Sequence, residues 1–268
     1  MAFVYHVELT NRCTLDCVYC ALTISRRAKG SMTEPIFRKV VEHMARGSPL
    51  NFIILHHFGE PMLHPELDRF IGIAAERQLN PGFSTNGEHL TPWRLEGLIE
   101  RGLRWLCVTL HTRAGRRAFE QCRPVARRAG IVYWGRRLSH DSVAPDPLAI
   151  IESGIEHQRL HTFAGAVQPV EARPFGQVPP CDYLRHQFVC ILHDGRVVPC
   201  GMDEKGAHVL GTVEDLERIR QQPAYELCRR CQGFQFFDGS RALMQRLLES
   251  GQFRVDAANW LAALEVES

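Results

Sequence analysis

Ten cysteines stand in this chain of 268 residues, and their spacing is uneven. Cys13, Cys17 and Cys20 share one short segment, Glu8-Leu-Thr-Asn-Arg-Cys13-Thr-Leu-Asp-Cys17-Val-Tyr-Cys20. Three thiolates spaced CxxxCxxC on a loop can wrap one face of a cubane iron–sulfur cluster, because soft sulfur ligands suit that chemistry. Such a cluster takes four ligands and no fourth cysteine is near in sequence, so one iron is left open to a substrate or cofactor. A zinc site draws instead on paired CxxC or Cys/His elements in a closed shell.

A second set lies in the tail, where Cys181 and Cys200 flank the turn residue Gly195 and are followed by the CxxC pair Cys228 and Cys231. A hairpin would present Cys200 at its far end, and the pair would close the shell. Four thiolates can fully ligate a second [4Fe-4S] cluster. Zinc accepts the same four, so residue types leave the tail metal open. Cys190 falls on an apolar strand, as does Cys107, and both are read with Cys122 as core.

The elements that must position these residues follow from the periodicity. Short apolar runs at 3–9, 51–57, 82–84, 104–111 and 130–134, with a weaker one at 159–163, alternate with amphipathic stretches at 34–46, 65–78, 91–101 and 114–128. Thr33 precedes Glu34-Pro35 and Thr91 precedes Pro92, both helix-start signals. Five or six βα units suit an open doubly wound sheet or a partial barrel. The proline-rich stretch 166–180 reads as a linker between a first unit, 1–165, and a tail unit, 181–268. In the tail, Asp194-Gly195 marks a hairpin, and helices are expected at 213–221, 240–249 and 256–264.

Composition excludes several classes. A formal charge of +2 gives no electrostatic reason for a nucleic-acid partner or an anionic membrane surface. The arginine pairs Arg26–Arg27, Arg127–Arg128 and Arg136–Arg137 read as solvated faces. No apolar run is long enough for a membrane span, and the amino terminus lacks the charged start of a signal peptide. The expectation is a cytoplasmic protein whose first strand begins near residue 3, in a reducing compartment that favours metal binding over disulfides.

The CxxxCxxC segment after a first strand strongly resembles the radical S-adenosylmethionine (SAM) superfamily. Phe58-Gly59-Glu60-Pro61 matches the family's Gly-Gly-Glu-Pro after strand two, with Phe58 in place of the first glycine, and Ser84-Thr85-Asn86-Gly87 matches its Ser/Thr-Asn-Gly segment after strand three. The resemblance covers about residues 3–165. It implies an α/β fold, a partial (β/α)6 TIM-like barrel, with a site at the carboxy-terminal strand ends and a small carboxy-terminal β-hairpin/helix iron–sulfur domain. It implies a [4Fe-4S] cluster on Cys13, Cys17 and Cys20 whose open iron holds SAM, cleaved to a 5′-deoxyadenosyl radical. Tyr19 would lie near the adenine, Gly59 and Glu60 near the SAM amino group, and Ser84, Thr85 and Asn86 near its ribose and carboxylate. The family also implies an external one-electron donor such as flavodoxin or ferredoxin.

The tail resembles the twitch domain, the short form of the SPASM domain, with one auxiliary [4Fe-4S] cluster on Cys181, Cys200, Cys228 and Cys231. A fully ligated cluster suits electron transfer, so the implied reaction is a dehydrogenation, as in the 2-deoxy-scyllo-inosamine dehydrogenase type. A small, sugar- or cyclitol-like substrate is expected. Modification of a ribosomal peptide is the alternative, placed second because the first strand leaves no amino-terminal recognition extension. A non-catalytic electron carrier is the third reading. Strand alternation offers Glu8, His57 and His111, with Arg136 just past strand five, as substrate contacts or the base. Among them no choice is made.

Overall fold

The computed structural model describes residues 2–47, 51–139, 155–159, 163, 166–167 and 170–233. The helices expected at 240–249 and 256–264 lie outside them. Five parallel strands, β1 (Phe3–Val7), β2 (Phe52–Ile54), β3 (Asn80–Thr85), β4 (Trp105–Thr109) and β5 (Val132–Ser139), alternate with helices α1 (Glu34–Gly47), α2 (Leu67–Glu76), α3 (Pro92–Glu100) and α4 (Arg113–Ala129). A sixth parallel strand, β6 (Ile155–Arg159), pairs with β5. Thr91 caps α3 as its position before Pro92 suggests, accepting from the Arg94 amide, and Thr112, which no start signal had marked, caps α4 by accepting from the Gly115 amide. Gly130, left-handed at φ 67°, ends α4.

The sheet runs β6-β5-β4-β3-β2-β1 and then continues into the tail strands β7 (Phe188–Ile191), β8 (Arg196–Val198) and β9 (Gly211–Thr212). Because β7 pairs in parallel with β1, the tail hairpin is hydrogen-bonded directly to the strand that precedes the cysteine loop. A four-residue helix, α5 (Asp182–Arg185), leads into β7. This is a mixed α/β fold, a partial β/α barrel extended at one edge. Its outer layer buries Val7, Ile53, Phe83 and Leu106 against Phe37, Phe70, Leu95 and Phe119 of the helices. Phe37 and Phe70 stack with ring centroids 4.3 Å apart, joining α1 to α2. Each fully buried ring of this kind stabilises the fold by about 1.5–3 kcal/mol.

Two expected elements are corrected. The stretch 213–221 is not a helix: a single 3-10 turn, Val213–Asp215, is closed by Thr212 and Asp215 capping each other. Gln221 then donates to the carbonyls of Phe188 and Pro199, which holds it on the β7 and β8 ends instead of on a helical axis. The sixth strand lies at Ile155–Arg159, earlier than 159–163, because β5 runs on to Ser139 and offers pairing partners Gly135–Ser139. Among the described residues no helix is long and apolar enough to cross a membrane.

Candidate active site

The cysteine loop begins where β1 ends and is tied shut at its base. Thr10 Oγ1 donates to the Gly30 carbonyl at 2.7 Å, Asn11 Nδ2 donates to the Ala28 carbonyl at 2.9 Å, and Asn11 Oδ1 accepts from the Gly30 amide at 2.8 Å. These bonds satisfy backbone groups that a loop would otherwise leave to water. Deeper in the molecule Glu8 is 0% exposed, and Arg27 grips it with two hydrogen bonds of 2.7 and 2.6 Å. The His193 side chain donates to the same carboxylate at 2.9 Å. Burial raises the Glu8 carboxyl, but the bonds from Arg27 and then His193 reverse this and bring it to about 2. Arg27 also donates to the Glu204 carbonyl, so one guanidinium joins loop, strand and tail.

Cys13, Cys17 and Cys20 are half-buried on this loop. Phe58, 6% exposed, packs with Ala21 and Leu22 under Cys13 and Cys20. Its φ is not positive, so a side chain fits where the family pattern has glycine. Gly59 is different: at φ +84° its Cβ would lie 2.2 Å from the Thr10 carbonyl, and no other residue fits. Glu60, 2% exposed, follows directly. It accepts from Thr85 Oγ1 at 2.8 Å, the Asn86 amide at 2.8 Å and the Met62 amide at 3.1 Å. Burial outweighs these bonds and lifts its carboxyl to about 7. Among the described residues no Lys, Arg or His makes an ion pair with it. Asn86 Nδ2 reaches back to Thr14 Oγ1 at 3.2 Å and lies 3.9 Å from Cys13 Sγ.

The barrel interior is lined by imidazoles and indoles. His111 Nε2 lies 3.9 Å from Cys17 Sγ, and its ring stands edge-on to Tyr19 at 5.6 Å. Burial, and after it the charge of the nearby Arg116, lowers the His111 pKa. Below them, His56 Nδ1 accepts from the Ser84 amide at 3.0 Å, and burial, then Arg136, hold His56 neutral with a pKa of about 3. Trp105 stacks on Trp134 at 5.7 Å and lies where a Cβ on Gly82 would meet its ring at 2.1 Å. The hydroxyls of Tyr19 and Ser84 and the Nδ1 atoms of His6, His57 and His111 are buried without a hydrogen-bond partner, a concentration of polar atoms suited to a bound molecule.

The four tail cysteines come from separate elements. Cys181 precedes α5, Cys200 follows β8, Cys228 lies within the 3-10 turn Glu226–Arg230, and Cys231 ends that turn. All four line one small cavity with Tyr183 and Tyr225. Gly233, at φ +78°, packs against the Pro179–Pro180 backbone so closely that a Cβ there would lie 2.8 Å from the Pro180 carbonyl oxygen. Sulfurs around one zinc ion must crowd together on bonds of about 2.3 Å. Among the described residues neither cysteine set gathers three donors within 4.8 Å of one another, a spacing wider than a single ion requires.

Thus Cys13, Cys17, Cys20, Tyr19, Gly59, Glu60, Thr85, Asn86 and His111 form one group. Glu8 and His57 fall in a second, with Arg27, His193 and the Gly201 carbonyl, which accepts from His57 Nε2 at 3.2 Å. Ser84 and Arg136 lie between, beside His56. Arg27 corrects the solvated-face reading of the Arg26–Arg27 pair: its side chain is 5% exposed because Glu8 demands a cation. Asn11, His6 and His193 carried no motif, and only the folded chain exposes their roles. Cys107, Cys122 and Cys190 are buried, as their apolar surroundings predict.

Residues 7–129, a little under half of the chain, match the Radical SAM superfamily. Over 111 residues it is 33% identical to an S-adenosyl-L-methionine-dependent 2-deoxy-scyllo-inosamine dehydrogenase from Niallia circulans, covering 40% of this chain and 44% of that protein. Over 100 residues it is 34% identical to a PqqA peptide cyclase from Granulibacter bethesdensis, covering 36% of this chain and 25% of that one. The matched stretch spans less than half the length of these relatives. Among solved structures, BtrN in complex with AdoMet and 2-DOIA superposes with a TM-score of 0.61 at 21% identity, over 87% of this chain and 94% of that one. Native anSMEcpe with bound AdoMet gives 0.56 at 12% identity, over 91% and 98%. These two likenesses establish the fold.

Proposed function

We propose that the protein is a radical SAM oxidoreductase that dehydrogenates a small hydroxylated substrate, of sugar or cyclitol type, and passes an electron to an auxiliary [4Fe-4S] cluster in its tail. The observation that carries this reading is the cavity lined by Cys181, Cys200, Cys228 and Cys231, on an extension of the same sheet whose first strand leads into the Cys13–Cys17–Cys20 loop. When bound at that loop, a [4Fe-4S] cluster with SAM supplies the 5′-deoxyadenosyl radical, charged by an external donor of the flavodoxin or ferredoxin class.

The chain's own residues then have distinct tasks. Glu60, a buried carboxylate with no basic partner among the described residues, receives the SAM amino group. Its bonds from Thr85 and Asn86 fix its orientation, and Gly59 allows the backbone to approach. Tyr19, beside His111, and Ser84, beside His56, each keep a buried hydroxyl without a hydrogen-bond partner. Glu8 is a fixed anion whose oxygens are taken by Arg27 and His193, so it orients the loop and leaves proton transfer to others. His111, beside the loop, and Arg136, on β5 opposite Thr109, are the groups assigned to substrate. The 33% identity to the inosamine dehydrogenase favours an amino-cyclitol or sugar alcohol.

The test is anaerobic incubation of the reduced, cluster-reconstituted protein with SAM and a panel of amino-cyclitols and sugars. The expected result is 5′-deoxyadenosine and a ketone product in equal amounts. No 5′-deoxyadenosine with both clusters intact would sink the proposal. The 34% identity to a PqqA peptide cyclase supports a second reading, oxidation of a peptide. Deoxyadenosine formed only with peptide substrates would select it.

A further inference from the structure

A group of donor atoms outside both cysteine sets lies between them. His6 on β1, His57 after β2 and Cys190 on β7 bring one imidazole nitrogen each and a thiol sulfur within 4.8 Å of one another, the one such group of three among the described residues. Strand register makes the meeting a property of the fold, since His6 is paired directly with Cys190. We propose that these three side chains form a mononuclear site for a zinc-class divalent cation, separate from both iron–sulfur clusters.

The orientation of His57 is the strongest argument. Its Nε2 donates to the Gly201 carbonyl, so the proton of the neutral ring is committed there and Nδ1 carries a bare lone pair. That is the arrangement metal-bound histidines adopt, with the second nitrogen fixed by a carbonyl or carboxylate. The lone pair points into a shielded space, without a hydrogen-bond partner, and lies 3.7 Å from Glu8 Oε2. His6 Nδ1 is likewise buried and unsatisfied. Both imidazoles are held neutral, burial being the main cause, which is the form that binds metal.

Cys190 supplies the third donor. It is 0% exposed and packs in one buried cluster with Tyr183 and Cys200; burial favours its neutral thiol, so binding an ion would release a proton. Two imidazoles and one thiolate are a borderline-soft set that suits zinc. Such an ion would tie β1, β2 and β7 together, and so fix the tail hairpin to the barrel. It would also commit His57 to the ion, leaving His111 and Arg136 to substrate. The inference does not depend on the radical chemistry.

The experiment uses the full-length chain with its iron–sulfur content restored, supplied with Zn²⁺ and washed free of loose metal. Zinc is counted per chain and its shell is read by X-ray absorption at the zinc edge. The expected result is about one zinc with a mixed nitrogen and sulfur shell, one sulfur near ~2.3 Å and nitrogens near ~2.0 Å. Cys190→Ser should remove the sulfur from the shell and weaken retention at least tenfold, while Cys122→Ser should change neither. Circular dichroism and iron content verify that both variants are folded. Where Cys190→Ser does not fold, His57→Gln replaces it and the wild-type spectrum still decides. A four-sulfur shell would place the zinc among the tail cysteines and overturn the proposal, as would zinc retention no greater than that of the His57→Gln variant.

Discussion

The two cysteine sets use the same ligand in opposite settings. Cys13, Cys17 and Cys20 are half-buried on a loop that faces the barrel, with Asn86, His111 and Tyr19 beside their sulfurs. Cys200, Cys228 and Cys231 are buried, and with Cys181 they line a small cavity whose walls include Tyr183, Pro199 and Leu227. The first set offers three thiols and polar neighbours; the second offers four thiols and apolar neighbours. In the proposed reading, ligand number and access, more than ligand type, separate a centre that reacts from a centre that transfers. A hydrogen-bonded block, Glu8–Arg27–His193, joins the first loop to the tail.

The sharpest break of that comparison is to remove each set in turn. Replacing Cys13, Cys17 and Cys20 with alanine should abolish 5′-deoxyadenosine formation and halve the iron. Replacing Cys228 and Cys231 should also halve the iron, yet leave SAM cleavage measurable while product disappears. Both are read by iron analysis and chromatography of the same samples. Equal loss of SAM cleavage in both variants would erase the functional difference between the sets.

The connecting block gives the next effects. Arg27→Ala leaves a buried carboxylate without its cation and should cost about 3–5 kcal/mol, measured by denaturant unfolding of the cluster-free chain. Glu8 sets an acid limit. Its carboxyl is near 2 in the fold against 4.5 unfolded, so its contribution is present above pH ~4.5 and is lost as pH falls through 2. Wild type should lose about 3 kcal/mol across that window relative to Glu8→Gln. Parallel acid titrations of the two would contradict the ion-pair assignment.

Glu60 carries the opposite sign. Its carboxyl is raised from 4.5 to about 7, so its contribution is present below pH ~4.5 and is lost as pH rises through 7. Between pH 5 and 8 the SAM-free Glu60→Gln protein should gain roughly 2–3 kcal/mol relative to wild type. The same variant should bind SAM about tenfold or more weakly, since a charge-assisted bond is worth about 1.5–3 kcal/mol. A variant that binds SAM normally would separate Glu60 from the open iron.

Much of this was legible in order along the chain. The alternation of apolar and amphipathic stretches located β1 to β5 and α1 to α4, because parallel strands buried on both faces and threonine-capped helices leave local signatures. The motifs after β1, β2 and β3 converge because the carboxy-terminal strand ends of a partial barrel share one mouth. What was not legible depends on partners distant in sequence. Arg27 looks like surface until Glu8 is folded beneath it. His6 and Cys190 meet only through the β1–β7 register. The stretch 213–221 has helical composition, but Gln221 spends its side chain on β7 and β8.

Electron paramagnetic resonance of the reduced protein, recorded with and without SAM labelled at its amino nitrogen, tests the central claim most directly. The account predicts two cluster signals from about eight irons per chain. One should couple to the label and vanish in the Cys13, Cys17 and Cys20 variant; the other should ignore SAM and vanish in the Cys228 and Cys231 variant. A single signal from about four irons, or two signals that both respond to SAM, would contradict it.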